Sequence, residues 1–135
     1  CWSSLESALP TDAHAIGEAL VFLEHVGDGE RAGRVAQRIE AHLPHVSYLR
    51  LDARDPSYGV TPLHYAPEPD SRWRALFPAD TIAGHLDRLE ADQQEDGGWA
   101  ITWEPPSRAA ALAYRGMETL RALRVLAAYG RIVPR

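Results

Sequence analysis

Ten prolines are spread so unevenly along this 135-residue chain that they decide which stretches are free to be helical. Pro10 closes off the first few residues, and Pro44, Pro56, Pro62, Pro67, Pro69 and Pro78 fall within one middle stretch. A proline fixes φ, removes a backbone donor and clashes with the preceding turn, so continuous helix is expected only outside that stretch. Two blocks on either side of it carry helical periodicity.

The first block is a pair. Residues 12–26 carry Ile16, Leu20 and Leu23 as one stripe, widened by Ala15, Ala19, Phe22 and Val26, which predicts a helix buried on more than one side. Pro10 ends what precedes, and Thr11 or Asp12 can serve as N-cap. Gly27-Asp28-Gly29 then reverses the chain. Residues 30–43 place Ala32, Val35, Ala36, Ile39 and Leu43 on one face and Arg31, Arg34, Gln37, Arg38 and Glu40 opposite, the pattern of a half-exposed outer helix. An antiparallel hairpin spanning residues 11–43 follows.

Residues 44–78 lose that periodicity, with at most a short extended piece at 46–51. Yet they hold Tyr48, Tyr58, Tyr65, Trp73 and Phe77, and aromatics at such density bury too much area for a floppy linker. The stretch reads as an ordered insertion pinned by its aromatics, of the length that is usually functional or packed across a surface. Helical order returns at 79–94, with Ile82, Leu86 and Leu89 inward, and again at 107–129, with Leu112, Leu120, Leu123, Leu126 and Ala127 apolar. Gly116 either kinks this last helix or marks its start, and Gly130 is a natural stop. The expected class is all-α, a single domain of helix hairpins with a second, glycine-cornered hairpin at 79–130.

A net charge of −5 with no basic run longer than two residues argues against nucleic acid as a partner. No apolar stretch approaches the length of a membrane span. The only cysteine, Cys1, excludes an internal disulfide framework and suits a reducing cytoplasm, the expected location. Trp2, Leu5 and Leu9 begin a helical pattern with no cap ahead of them, so the chain is expected to be the C-terminal portion of a longer one.

The most specific stretch is Gln93-Gln94-Glu95-Asp96-Gly97-Gly98-Trp99. A glutamine in the last turn of a helix can turn its amide to free carbonyls or to the next helix, two glycines allow a left-handed reversal, and the tryptophan can pack flat on the exposed turn. The unit resembles the QW motif of the terpene cyclase and protein prenyltransferase superfamily, a short glutamine–glycine–tryptophan corner; the flanking Leu86 and Leu89 and the helix around Thr119-Leu120-Arg121-Ala122-Leu123 agree with it. The resemblance implies antiparallel helix hairpins forming part of an α/α toroid, with Gln93, Gln94, Gly97, Gly98 and Trp99 as structural staples. Its catalytic motifs are not here. Asp52-Ala53-Arg54-Asp55 has the wrong spacing for a cyclase proton donor, no Asp-Asp-x-x-Asp run occurs, and Cys1 has no aspartate before it to build a transferase zinc site. No cofactor is expected.

Other groups are weighed on their chemistry. His42 and His45 have metal-like spacing, but Pro44 interrupts them and nothing nearby completes a set, so no metal is expected. Asp12 and His14 can pair, although an N-cap role explains Asp12 as well. His64, Tyr65, Glu68 and Trp73 lie on a proline-stiffened loop, and Trp103 and Glu104 on a rigid connection; these six are the candidate ligand-binding residues. No nucleophile triad or phosphate-cradling glycine loop stands out. The leading expectation is a hydrophobic, isoprenoid-like small molecule in a central cavity. The alternatives are a catalytic half-toroid acting on carbohydrate or lipid through His64, Tyr65, Glu68 or Glu104, and a structural module that closes a ring by self-association or by pairing with a missing N-terminal half.

Overall fold

The computed structural model describes residues 1–132, and within them the regular structure is helical, with no β-strand. The chain is all-α. Helix α1 (Trp2–Ser7) is short, and α2 (Ala13–His25) and α3 (Gly29–His42) form the first hairpin. Asp12 caps α2, its Oδ1 accepting from the N–H groups of His14 (2.9 Å) and Ala15 (3.3 Å). Asp28 does the same for α3 through the N–H of Arg31 (3.0 Å). Gly27-Asp28-Gly29 is therefore more than a breaker, because its aspartate also starts the helix that follows.

Ala13, Ile16, Ala19, Leu20 and Leu23 of α2 are buried against Ala32, Val35, Ala36 and Ile39 of α3. Each buried Ile, Leu or Val here contributes on the order of 1.5–3 kcal/mol relative to leaving it in water. Helix α1 rides on this pair. Leu5 is buried, Trp2 meets the ring of Phe22 edge-on at 5.2 Å, and Arg31 lies over the Trp2 indole while pairing with Glu6 at 2.6 Å.

The middle stretch is ordered by backbone pairing and by its rings. Ser47 exchanges bonds with the start of α2, its N–H donating to Thr11 O (2.8 Å) and its carbonyl accepting from Ala13 N (3.0 Å). Val60 bridges Tyr48 and Arg50 in the same way, at 2.8 Å on each side. A Cβ on Gly59 would sit 2.5 Å from the Tyr48 carbonyl oxygen, so only glycine lets these two segments approach so closely.

Prolines were expected to forbid helix here, and at one point they do the reverse. Pro62 opens the one-turn helix α4 (Pro62–Tyr65), because the first helical position needs no donor and favours proline's φ. Tyr65, Trp73 and Phe77 are buried as expected of pins, with Tyr65 and Phe77 stacked at 6.2 Å. Tyr48 and Tyr58 are not. They are 58% and 45% exposed, and they meet each other edge-on at the surface.

The second pair is α5 (Ala79–Ala91) and α6 (Arg108–Ala128). In α5, Ile82, His85, Leu86 and Leu89 are buried. In α6 only Ala122, Val125 and Leu126 are, and the helix runs unbroken through Gly116. Leu112, Leu120 and Leu123 project into solvent, at 63%, 50% and 37% exposure. The first two turns of α6 therefore stand largely clear of the core. Among the described residues no helix is long and apolar enough to cross a membrane.

Candidate functional site

The corner between α5 and α6 combines a buried indole with a set of hydrogen bonds. Gly97 takes φ +84°, a left-handed conformation that glycine adopts without strain, and the Gln93 amide donates to its carbonyl (2.9 Å). Trp99 turns inward to 3% exposure, and its indole N–H donates to the Leu89 carbonyl at the end of α5 (2.7 Å). That carbonyl lies in the last turn of α5, where helix carbonyls lack intrahelical partners. Gln94 reaches the other way, its Oε1 accepting from Arg115 of α6 (2.8 Å), while Arg115 also grips Asp96 (2.6 Å). Arg115 holds the Asp96 carboxyl below its usual range. Thr119 Oγ1 accepts from the Trp99 backbone N–H (3.1 Å). The turn thus joins the two helices through its own Gln94, Asp96 and Trp99, met by Arg115 and Thr119 of α6.

This corner forms one wall of an open cleft of about 690 Å³. Trp99, Ile101 and Trp103 line it from the corner, Tyr114, Met117, Glu118 and Arg121 from α6, and Leu63 and His64 from α4. Trp103 meets Tyr114 edge-on at 4.7 Å, so the connection and α6 make a continuous apolar wall. Met117, 65% exposed, extends it. These large apolar faces stand among many polar and charged groups, Arg50, Arg88, Asp92, Gln94, Glu118 and Arg121 included.

The polar groups are placed with care. His64 lines the cleft and is exposed there. Its Nδ1 accepts from the Thr61 backbone N–H (3.0 Å). Burial, then the nearby Arg121 charge, push its pKa down to about 4, with Glu118 opposing. Glu118 and Arg121 form a half-buried pair at 2.5 Å. Burial works to raise the Glu118 carboxyl, but the Arg121 guanidinium prevails and lowers it. Among the described residues, Arg121 Nη1 is buried without a partner. His85, also at the cleft, is buried and its Nε2 donates to the Leu51 carbonyl (3.0 Å); burial leads its downward shift.

Two further lining residues come from parts of the chain that share no local pattern. The Tyr58 hydroxyl is 3.3 Å from His14 Nε2, and Asp12 Oδ1 is 3.3 Å from His14 Nδ1. His14 and Tyr58 both line the cleft. The 44-residue separation hides this from any local pattern; only the pairing of Val60 with Tyr48 and Arg50 and of Ser47 with α2 brings it about.

The six candidate ligand residues divide. His64 and Trp103 share the cleft, with Trp99 and Gln94 beside them. Tyr65, Glu68 and Trp73 line a separate, smaller hollow of about 390 Å³ with Glu24, Asp70 and Arg72. Tyr65 is spent on structure: its hydroxyl donates to the Ala13 carbonyl (2.5 Å), and burial raises its pKa. Glu104 is exposed and lines neither. The His42 and His45 rings lie 6.3 Å apart, and among the described residues no group of His, Cys, Asp and Glu is arranged to hold a metal ion. Comparison with family models, with curated proteins and with solved structures gave no match to this chain.

Proposed function

We propose that this chain is an arc of an α/α toroid of the terpene-cyclase and prenyltransferase type, and that its cleft takes up an apolar, isoprenoid-like small molecule. The observation that carries the reading is the wall made by Trp103, Tyr114 and Met117, three large side chains left exposed on one cleft. Exposed singly, such residues need no explanation; gathered on a concave surface, they favour a ligand. The Trp99 corner supports the architectural half of the proposal, because a carboxamide, two glycines and an indole fix the angle between α5 and α6. The cleft falls within the range of about 300–1,000 Å³ that suits a small-molecule ligand.

Tryptophan fluorescence during titration with farnesol and geranylgeraniol tests it. Saturable quenching that disappears in Trp103→Phe is expected, since Trp103 is the cleft's exposed indole while Trp99 and Trp73 are buried. Flat titrations with folded protein would overturn the reading.

A further inference from the structure

Of the three imidazoles at the cleft, His14 and His64 are held by their partners in opposite tautomers. Asp12 caps α2 with Oδ1, and the same oxygen lies 3.3 Å from His14 Nδ1. Partial burial opposes ionisation of Asp12, but the N–H groups of Ala15 and His14 hold its carboxyl below the ordinary value. An ionised carboxylate only accepts, so the proton of His14 sits on Nδ1 and its Nε2 presents a lone pair. The Tyr58 hydroxyl, 3.3 Å away, donates to that lone pair. His64 is the reverse. A backbone N–H can only donate, so His64 Nδ1, 3.0 Å from Thr61 N, is the acceptor and Nε2 carries the proton. One imidazole therefore ends in a base acting through a phenol, and the other in a neutral N–H donor.

We propose that the cleft is an acid–base site for an apolar carbonyl compound, in which Tyr58, backed by His14 and Asp12, takes a proton from the carbon beside the carbonyl while His64 hydrogen-bonds the carbonyl oxygen. The inference rests on the reading that the cleft holds an apolar small molecule. The balance is simple. The C–H proton passes to the Tyr58 oxygen as the phenol's own proton passes to His14 Nε2. The electron pair of the C–H bond moves onto the carbonyl oxygen, where the His64 N–H meets it. The imidazolium formed at His14 faces the Asp12 carboxylate. Return of the proton to the same or a conjugated carbon completes an exchange or an isomerisation, and nothing else is consumed. A neutral donor suits this task, because it stays protonated at neutral pH without becoming a cation.

Tyr48 supplies an internal control. It lies beside Tyr58, with ring centroids 6.2 Å apart, and is the more exposed of the two, at 58% against 45%. Exposure alone would make Tyr48 the faster to react. Labelling of the folded protein with an arylsulfonyl fluoride, read by peptide mass spectrometry, should instead modify Tyr58 at least about tenfold faster, since a positioned base typically contributes more than that. His14→Ala should bring Tyr58 down to the Tyr48 rate, and Asp12→Asn, which keeps a good N-cap, should slow it in part. Equal rates in the unaltered protein overturn the proposal.

The second measurement uses geranylacetone, an apolar ketone, in deuterated water. Deuterium is expected beside the carbonyl, with the excess over buffer lost in Tyr58→Phe and reduced in His64→Gln. Trp103 quenching by geranylacetone without such exchange overturns the acid–base site and leaves the binding reading standing. No quenching by this ketone or by the alcohols overturns the binding reading, and the acid–base proposal falls with it.

Discussion

The two helix pairs use their apolar residues in opposite ways. In α2 and α3 the residues that define the helical stripe are the ones that vanish into the core, Ile16, Leu20 and Leu23 against Val35 and Ile39. In α6 the leucines at 112, 120 and 123 point outward, and the helix is held at its corner by Trp99, Gln94, Asp96 and Arg115. Both pairs remove apolar area from water, and the second adds a small set of directed bonds at its corner. The difference explains why the cleft belongs to the second pair: a helix whose first turns stand clear of the core leaves a concave wall beside it.

That contrast can be broken at one residue. Trp99→Ala removes a buried indole and leaves the Leu89 carbonyl without its donor, and should cost about 3–5 kcal/mol, as much as or more than Leu23→Ala at about 2–5 kcal/mol. Urea unfolding of the two variants measures this. If Trp99→Ala costs well under 1 kcal/mol, the corner does not hold the second pair.

The next effect is on acid stability. Folding lowers the pKa of His64 from 6.5 to about 4. Between those values the unfolded chain binds the proton and the folded chain does not, so stability declines as pH falls through the window and is unaffected above it. Melting temperature followed from pH 7.5 down to about 4.5 should fall less steeply in His64→Gln than in the unaltered protein. Parallel curves would assign the decline to other groups, the buried His85 first among them.

The smallest effect is the sharpest contrast between the pairs. Leu112→Gln should change stability by no more than about 0.5 kcal/mol, because the side chain is already in water. A loss above 1 kcal/mol in denaturant unfolding would mean that the face of α6 is covered in solution.

Much of the helical layout was legible in the residues. Spacing of apolar side chains marked α2, α3, α5 and α6, Asp12 marked a cap, and the Gln93 to Trp99 corner stood out on glycine and tryptophan alone. Periodicity names a helix, however, and not which of its sides the rest of the chain will cover. α6 is apolar on much of its circumference, so the outward set at 112, 120 and 123 was indistinguishable from the buried set at 122, 125 and 126. The prolines misled at α4, where Pro62 occupies the one helical turn that tolerates it. Of the cleft, His64 and Trp103 were visible because rigid neighbours flank them. Tyr58, Glu118 and Arg121 were not, since Tyr58 meets His14 from 44 positions away, and an acid and a base three apart on a helix read as an ordinary surface pair until the cleft half-buries them.

The hinge of the whole chain lies in two adjacent residues of α4 and its cap. Tyr65 donates its hydroxyl to the Ala13 carbonyl, 52 positions earlier, and the Ala66 carbonyl accepts from the Tyr129 hydroxyl, 63 positions later. Closing loops of such length is entropically costly before any long-range contact compensates. The two hairpins can each assemble from near neighbours, whereas this junction forms only once both have arrived, so the last step of folding should also be the one that shapes the cleft.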